Sequence, residues 1–187
     1  MKKFFTFLGT VSVFFSFIGG VCAAPIYWNG HMYEVILAQN ISWTAARTAA
    51  TALGPGWDLA SITSQAEQDF IETLVVDDSS DTLEEYWLGG WQNPDTYPHD
   101  SNWHWVSGEA WSYTHWGAGE PNYVGEYYLA IDDRYSWAWN DYTGPGTGVI
   151  EGYIVEAPAP VPEPATMLLL GSGLAGFAAF RRRFKKH

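Results

Sequence analysis

The sequence predicts an α+β fold, and three observations carry that prediction. Two stretches of helical character come early in the chain. Short aromatic or β-branched runs follow from Tyr86 onward, separated by Gly, Pro, Asn and Asp. The two kinds are segregated rather than alternating, as they would be in a parallel βαβ chain. The first element is "PIYWNGHMYEVIL", which reads as two strands around an Asn-Gly turn. "SWTAARTAATALG" (residues 42–54) reads as a helix with Ser42 as N-cap and Gly54-Pro55 as its stop. "SQAEQDFIETLV" is a second helix, with Ser64 and Glu67 at capping-box spacing and an apolar stripe of Phe70, Ile71 and Leu74. "DDSSDTLEE" follows as a polar loop. "YWLGGW", "NWHWVSG", "YYLAI", "SWAWND" and "EGYIVE" are the later strands. The region 93–147 holds more loop than a compact domain usually carries, and long ordered loops are often functional.

Both ends of the chain differ from this middle. Residues 1–24 read as a secretory signal peptide. Lys2 and Lys3 supply its charge, "FFTFLGTVSVFFSFI" its apolar run and "VCAA" its cleavage site, after Ala23 or Ala24. The apolar run is short for a membrane span, which needs about 20 residues. Val21 precedes Cys22 where a lipid-modification site takes Gly or Ala. At the other end, "APAPVPEP" (157–164) is a stiff Pro-rich linker. Residues 165–187 add sixteen uncharged residues and the basic "RRRFKKH", the pattern of a transmembrane helix with a cytoplasmic flank. "GSGLAG" within it has dinucleotide-binding spacing, but no strand or βαβ unit surrounds it. The order of Val161-Pro162-Glu163-Pro164, apolar segment and Arg cluster closely resembles the PEP-CTERM sorting signal of Gram-negative bacteria. That resemblance implies export, recognition by an exosortase and transient anchoring in the inner membrane. It also implies delivery to the cell surface or extracellular matrix.

Residues 25–156 remain, enough for one domain. All 21 acidic residues lie between positions 25 and 164. Of the nine basic residues only Arg47 and Arg134 do, so that stretch carries 2 − 21 = −19 charges. Such a surface repels nucleic acid and anionic lipid and attracts cations. Disordered acidic chains are poor in aromatics, whereas this one has 11 Trp and 11 Tyr. An aromatic core is therefore expected. The single cysteine, Cys22, lies in the signal, so the mature domain has no disulfide.

Two polar clusters stand out. "GEPNYVGE" supplies Glu120, Asn122 and Glu126, and "WND" supplies Asn140 and Asp141. Taken alone, the first reads as a solvated turn. Together they offer three carboxylates and two amide carbonyls, all hard oxygen donors suited to calcium, which takes 6–8 oxygens at roughly 2.3–2.6 Å. Five side chains leave room for a backbone carbonyl and two outside ligands, such as vicinal sugar hydroxyls.

With these clusters in place, "SWTAARTAATALG", "LASITSQAEQDFI", "WLGG", "EPN", "WND" and "YIVE" together resemble a C-type lectin-like domain across nearly the whole mature region. The resemblance implies two helices packed on short antiparallel sheets, with a long ligand-binding loop region. It implies a Ca2+ site formed by Glu120, Asn122, Glu126, Asn140 and Asp141, the same residues serving as ligand-binding groups for carbohydrate, and a cis peptide bond before Pro121. The EPN tripeptide resembles the mannose-type pattern, for mannose, glucose or N-acetylglucosamine. Two departures accompany it. The loop from Asn122 to Glu126 is shorter than in familiar animal members, which makes Glu126 the ligand most dependent on loop geometry. The family's two disulfides are missing, their positions falling on Ala50 with Val155 and on Tyr128 with Gly144. Tyr123 and Tyr127 stand where acidic ligands of an accessory calcium site would be.

Other features read as structural. Trp87, Trp91, Trp103, Trp105 and Trp139 are expected in the core, and Trp116, Tyr123 and Tyr127 beside the site. His99, His104 and His115 lack zinc spacing. Asp77, Asp78, Asp81, Glu84 and Glu85 read as a solvated acidic loop, and Arg47 as a structural partner for a carboxylate. The functional expectation is an exported, calcium-dependent carbohydrate-binding protein acting on mannose- or glucose-like sugars or an exopolysaccharide. The alternative is a matrix or adhesion protein that binds a protein partner and uses calcium only structurally. Nothing supports an enzyme beyond the supply of carboxylates: there is no nucleophile elbow, HExxH or Cys–His pair.

Overall fold

The computed structural model describes residues 24–75, 84–94, 98–146 and 148–160. Residues 1–23 of the expected signal peptide (1–24), Asp77, Asp78 and Asp81, and the apolar, basic tail at 165–187 lie outside the described residues. Among those described, no helix is long and apolar enough to cross a membrane.

The first hairpin follows from its turn. β1 (Ile26–Trp28) and β2 (His31–Leu37) pair antiparallel, with Asn29 and Gly30 at φ 45° and 87°. Both central residues are left-handed, as a tight hairpin turn requires. Helix α1 (Trp43–Ala52) starts at Ser42, whose hydroxyl accepts from the Ala45 N–H at 3.3 Å. Helix α2 (Gln65–Glu72) starts at Ser64, which accepts from the Glu67 N–H at 3.2 Å. The reciprocal half of the expected capping box differs. Glu67 accepts from the Thr63 N–H at 2.8 Å and from the Tyr33 hydroxyl at 2.6 Å, so its carboxylate ties the helix to β2.

The strands β3 (Asp58–Leu59), β4 (Glu85–Gln92), β5 (Trp103–Trp105), β6 (Tyr128–Asp132), β7 (Ala138–Tyr142) and β8 (Ile150–Pro158) complete the set. They form one connected sheet in the order β1-β2-β8-β4-β6-β7, with β3 paired to β8 and β5 to β4. Short antiparallel sheets were the expectation; the sheet is mixed, because β4 and β8 run parallel. β8 continues through Ala157 and Pro158, residues read from the sequence as linker, and pairs there with Met32 and His31.

Both faces of the sheet centre are covered, which explains the near-continuous apolar character of β4. Successive side chains point to opposite faces. Tyr86 and Leu88 join a core with Ile71, Leu129, Ile131, Ile154 and Trp139. Trp87 joins a second core with Trp43, Ala50, Ala130, Tyr153 and Val155. Trp103, Trp105 and Trp139 are buried as expected. Trp91 is only half-buried and packs on exposed His104 at 5.1 Å.

The two missing disulfides are replaced by packing. Ala50 and Val155 are both fully buried in the second core. Gly144 lies under the Tyr128 ring: a Cβ there would sit 2.7 Å from Cε2. The same ring stacks on Trp43 at 4.5 Å. The ring thus takes the space that a side chain at position 144 would need.

Candidate functional site

The site residues come from a loop and a strand edge, and backbone hydrogen bonds fix one against the other. The Trp139 N–H donates to the His115 carbonyl at 2.7 Å, and the Gly117 N–H donates to the Trp139 carbonyl at 2.8 Å. This parallel bridge between Trp116 and Trp139 lays the loop along β7. Trp139 is anchored in turn by its indole N–H on Gln68 at 2.8 Å and by edge-on contact with Trp105 at 5.5 Å. The aromatic core therefore sets the position of the next two residues, Asn140 and Asp141.

The EPN turn closes onto them. The Glu120–Pro121 bond is cis. The Asn122 N–H donates to Asp141 Oδ1 at 3.0 Å, joining the two polar clusters directly. Glu120 is held from the other side by the Tyr135 hydroxyl, which donates to Oε1 at 2.5 Å. That contact depends on Gly117, since a Cβ there would lie 2.5 Å from Tyr135 Cγ. Tyr135 belongs to a short 3-10 turn, Asp133–Tyr135, between β6 and β7.

The electrostatics show how close the carboxylates are. Asp141, 1 % exposed, is pushed up to about 7, first by burial and then by the charges of Glu126 and Glu120. Glu126 is raised by its own partial burial and then by Glu120. Despite the short loop, Glu126 therefore lies within electrostatic reach of both partners. Glu120 Oε2 and Asp141 Oδ2 are buried and have no hydrogen-bond partner. Asn122 is exposed at the rim, with Tyr123, 66 % exposed, beside it.

Asn140 is buried and hydrogen-bonded to Glu85. Because the amide must donate to a carboxylate, its carbonyl oxygen is left for another partner. Glu85 is itself buried, and here the expectation of a solvated acidic loop fails. Glu84 and Glu85 are both inside. Glu85 sits opposite Asp132 across β4 and β6 and is pushed up to about 8, first by burial and then by that neighbour. Arg134 donates to both carboxylates and raises the count of paired groups to three. Sequence reasoning missed this support behind Asn140. The signal was present: Arg134 is one of two cations in the whole acidic domain.

Other expectations stand as follows. Arg47 pairs with Asp58 at 3.2 Å. His115 lies 3.9 Å from Glu72, and the His99 carbonyl accepts from Gln92 and Trp103. Among the described residues, no three His, Cys, Asp or Glu side chains gather as a metal cluster by themselves. The loop–strand set nevertheless fits a calcium ion chemically. It has two orphaned carboxylate oxygens, three mutually repelling carboxylates and an amide carbonyl, with no protein cation among the five residues.

The sequence profile of the C-type lectin domain matches residues 39–144, more than half of the chain. The chain belongs to the C-type lectin domain family. A second profile, the PEP-CTERM protein-sorting motif, matches residues 160–183. This C-type lectin domain is 32 % identical over 118 residues to a lectin of the newt Pleurodeles waltl, covering 61 % of the chain and 66 % of that relative. Its fold is similar to the cow carbohydrate-recognition domain of CD23 solved with a GlcNAc2Man3 oligosaccharide (TM-score 0.57, 24 % identity, 74 % of this chain and 95 % of that one). It is as similar to a calcium-independent type II antifreeze protein (TM-score 0.59, 21 % identity, 74 % and 94 % coverage). These two likenesses concern the fold alone.

Proposed function

We propose that this protein is an exported, calcium-dependent carbohydrate-binding module of the bacterial surface or extracellular matrix. The observation that carries the reading is the pair of buried, unpartnered oxygens, Glu120 Oε2 and Asp141 Oδ2, within a set of three carboxylates. Burying such charges without a partner is costly. A divalent cation removes that cost, and its hard-oxygen preference suits this donor set.

Glu120, Asn122, Glu126, Asn140 and Asp141 would hold the ion. A bound calcium supplies open coordination positions for vicinal hydroxyls of a mannose- or glucose-like sugar. The protein's own part is orientation. Tyr135 fixes Glu120, the Asn122 N–H fixes Asp141, and Glu85 fixes the Asn140 amide. Exposed Tyr123 is a face on which a sugar ring can stack. The sorting motif supports export, exosortase processing and passage through the membrane by the tail.

The test is binding of mannose, glucose and N-acetylglucosamine by calorimetry, in calcium and in excess chelator. Saturable binding that chelator removes is the expected result. Undiminished binding in chelator overturns the reading. The sorting motif also fits a second reading, a matrix or adhesion protein that binds a protein partner and uses calcium only structurally. A glycan array without hits, together with a calcium-dependent rise in melting temperature, would select it.

A further inference from the structure

A second polar site lies on β2, β3 and β8 and shares no residue with the loop cluster. It is a cavity of about 390 Å3 bounded by His31, Trp57, Asp58, Glu109, Glu156 and Pro158. That volume is at the lower end of small-ligand sites, which run from about 300 to 1,000 Å3. Its walls are rigid for a simple reason: His31 pairs with Pro158, and Asp58 with Glu156, in strand register.

The charges around it do not cancel. Asp58 is met by Arg47. Glu109 takes the Ser107 hydroxyl at 3.0 Å. Neighbouring Glu67 is occupied by Tyr33 and Thr63. Glu156 is what remains. It is 7 % exposed, and its Oε2 has no hydrogen-bond partner. Burial, then Glu67 and Glu109, push its carboxyl up to about 8, while a backbone bond from Ser61 works the other way. His31 also lines the cavity, and its Nδ1 is likewise buried and unpartnered.

We propose that this cavity binds an organic ammonium group, a primary amine carried on a body no larger than a hexosamine. Glu156, giving up its proton as the amine binds, is its counter-charge, Glu109 and Asp58 complete the negative field, and Trp57 lines the wall. The geometry favours an ammonium over a metal ion. The acidic groups are spread around a cavity, with Asp58 already paired with Arg47 and Glu109 with Ser107, which leaves one unpartnered carboxyl and not a set of ligands. An ammonium donates three hydrogen bonds over that wider space and is attracted to an indole face. An anion is repelled by the same field, and a neutral sugar leaves Glu156 without its counter-charge.

The experiment is a titration with glucosamine hydrochloride and, separately, N-acetylglucosamine, followed by calorimetry and by the Trp57 indole resonance. Chelator is present throughout, so that the loop cluster plays no part and its failure would be seen separately. Glucosamine is expected to bind and shift Trp57, and N-acetylglucosamine to do neither. Glu156→Gln should weaken glucosamine at least tenfold. Glu109→Gln, on the exposed rim, should weaken it several-fold and keeps the test open should the buried variant not fold. Equal binding of the acetylated sugar, no binding of glucosamine, or indifference to both carboxylate variants would overturn the proposal.

Discussion

Glu85 and Asp132 form one pair of carboxylates; Glu120, Glu126 and Asp141 form a second group a short distance along the fold. Both are crowded, and burial raises Glu85 in the first and Glu126 and Asp141 in the second. They differ in what neutralises them. The first pair faces each other across β4 and β6 with Arg134 donating to both. The second has hydroxyl and amide donors, Tyr135 and the Asn122 N–H, and no ion pair, only the field of Arg134 on Glu126; it keeps two orphaned oxygens where the first keeps one, Glu85 Oε2. With two arginines in an otherwise acidic domain, the chain completes the structural pair internally. On the proposed function, the other group is left to an ion from outside. Asn140 and the 133–135 turn link the two. Arg134 serves Glu85, which holds Asn140, and the next residue, Tyr135, holds Glu120.

The sharpest way to break this comparison is Arg134→Met. It leaves Glu85 and Asp132 facing each other without a cation, and breaking a buried pair in this way costs about 3 kcal/mol or more. A large fall in melting temperature is expected with or without calcium. An unchanged melting temperature would show that the first pair is no better neutralised than the second group.

A pH series is the next largest lever. Asp141 and Glu156 have native values pushed to about 7 and about 8, above those of an unfolded carboxylate. The native state therefore holds protons that the unfolded state has released. This contribution is complete below the unfolded value, near 4. It is lost as pH rises through 7 and 8. In chelator the melting temperature should fall by several degrees between pH 5 and pH 9. Asp141→Asn and Glu156→Gln should each flatten part of that slope, and calcium should reverse the part belonging to Asp141. A flat profile in chelator would contradict the account.

The smallest effect is expected from Tyr135→Phe. It removes one hydrogen bond to Glu120 and leaves the ring against Gly117. A loss of about 1 kcal/mol, or severalfold in calcium affinity, follows, with the metal-free melting temperature unchanged. Equal loss in both measurements would make Tyr135 a packing residue only.

Much of the fold was legible because local signals agreed with it. The Asn29-Gly30 turn, the Ser42 and Ser64 caps and the aromatic strand runs all stand where the sequence puts them. The parallel β4–β8 pairing was not legible, since strand runs carry no direction of pairing. Nor was the burial of Glu84 and Glu85, because an acidic run looks solvated until its cation, 49 residues away in sequence, is seen beside it. In the candidate site, the residue types and their order were readable, but what supports them was not. Tyr135 and Glu85 act through contacts between distant segments. The vanished cysteines were legible as gaps only, and the Tyr128 ring over Gly144 is a packing solution that shape alone reveals.

The most direct test of the central claim is a calcium titration by calorimetry on the chain and its Asn140→Ala variant, with melting followed in parallel. The account predicts one calcium ion bound by the chain, a melting temperature that rises with calcium by mass action, and both effects lost in the variant while its metal-free fold persists. Calcium binding of equal strength in the variant, or none in the parent chain, would contradict it.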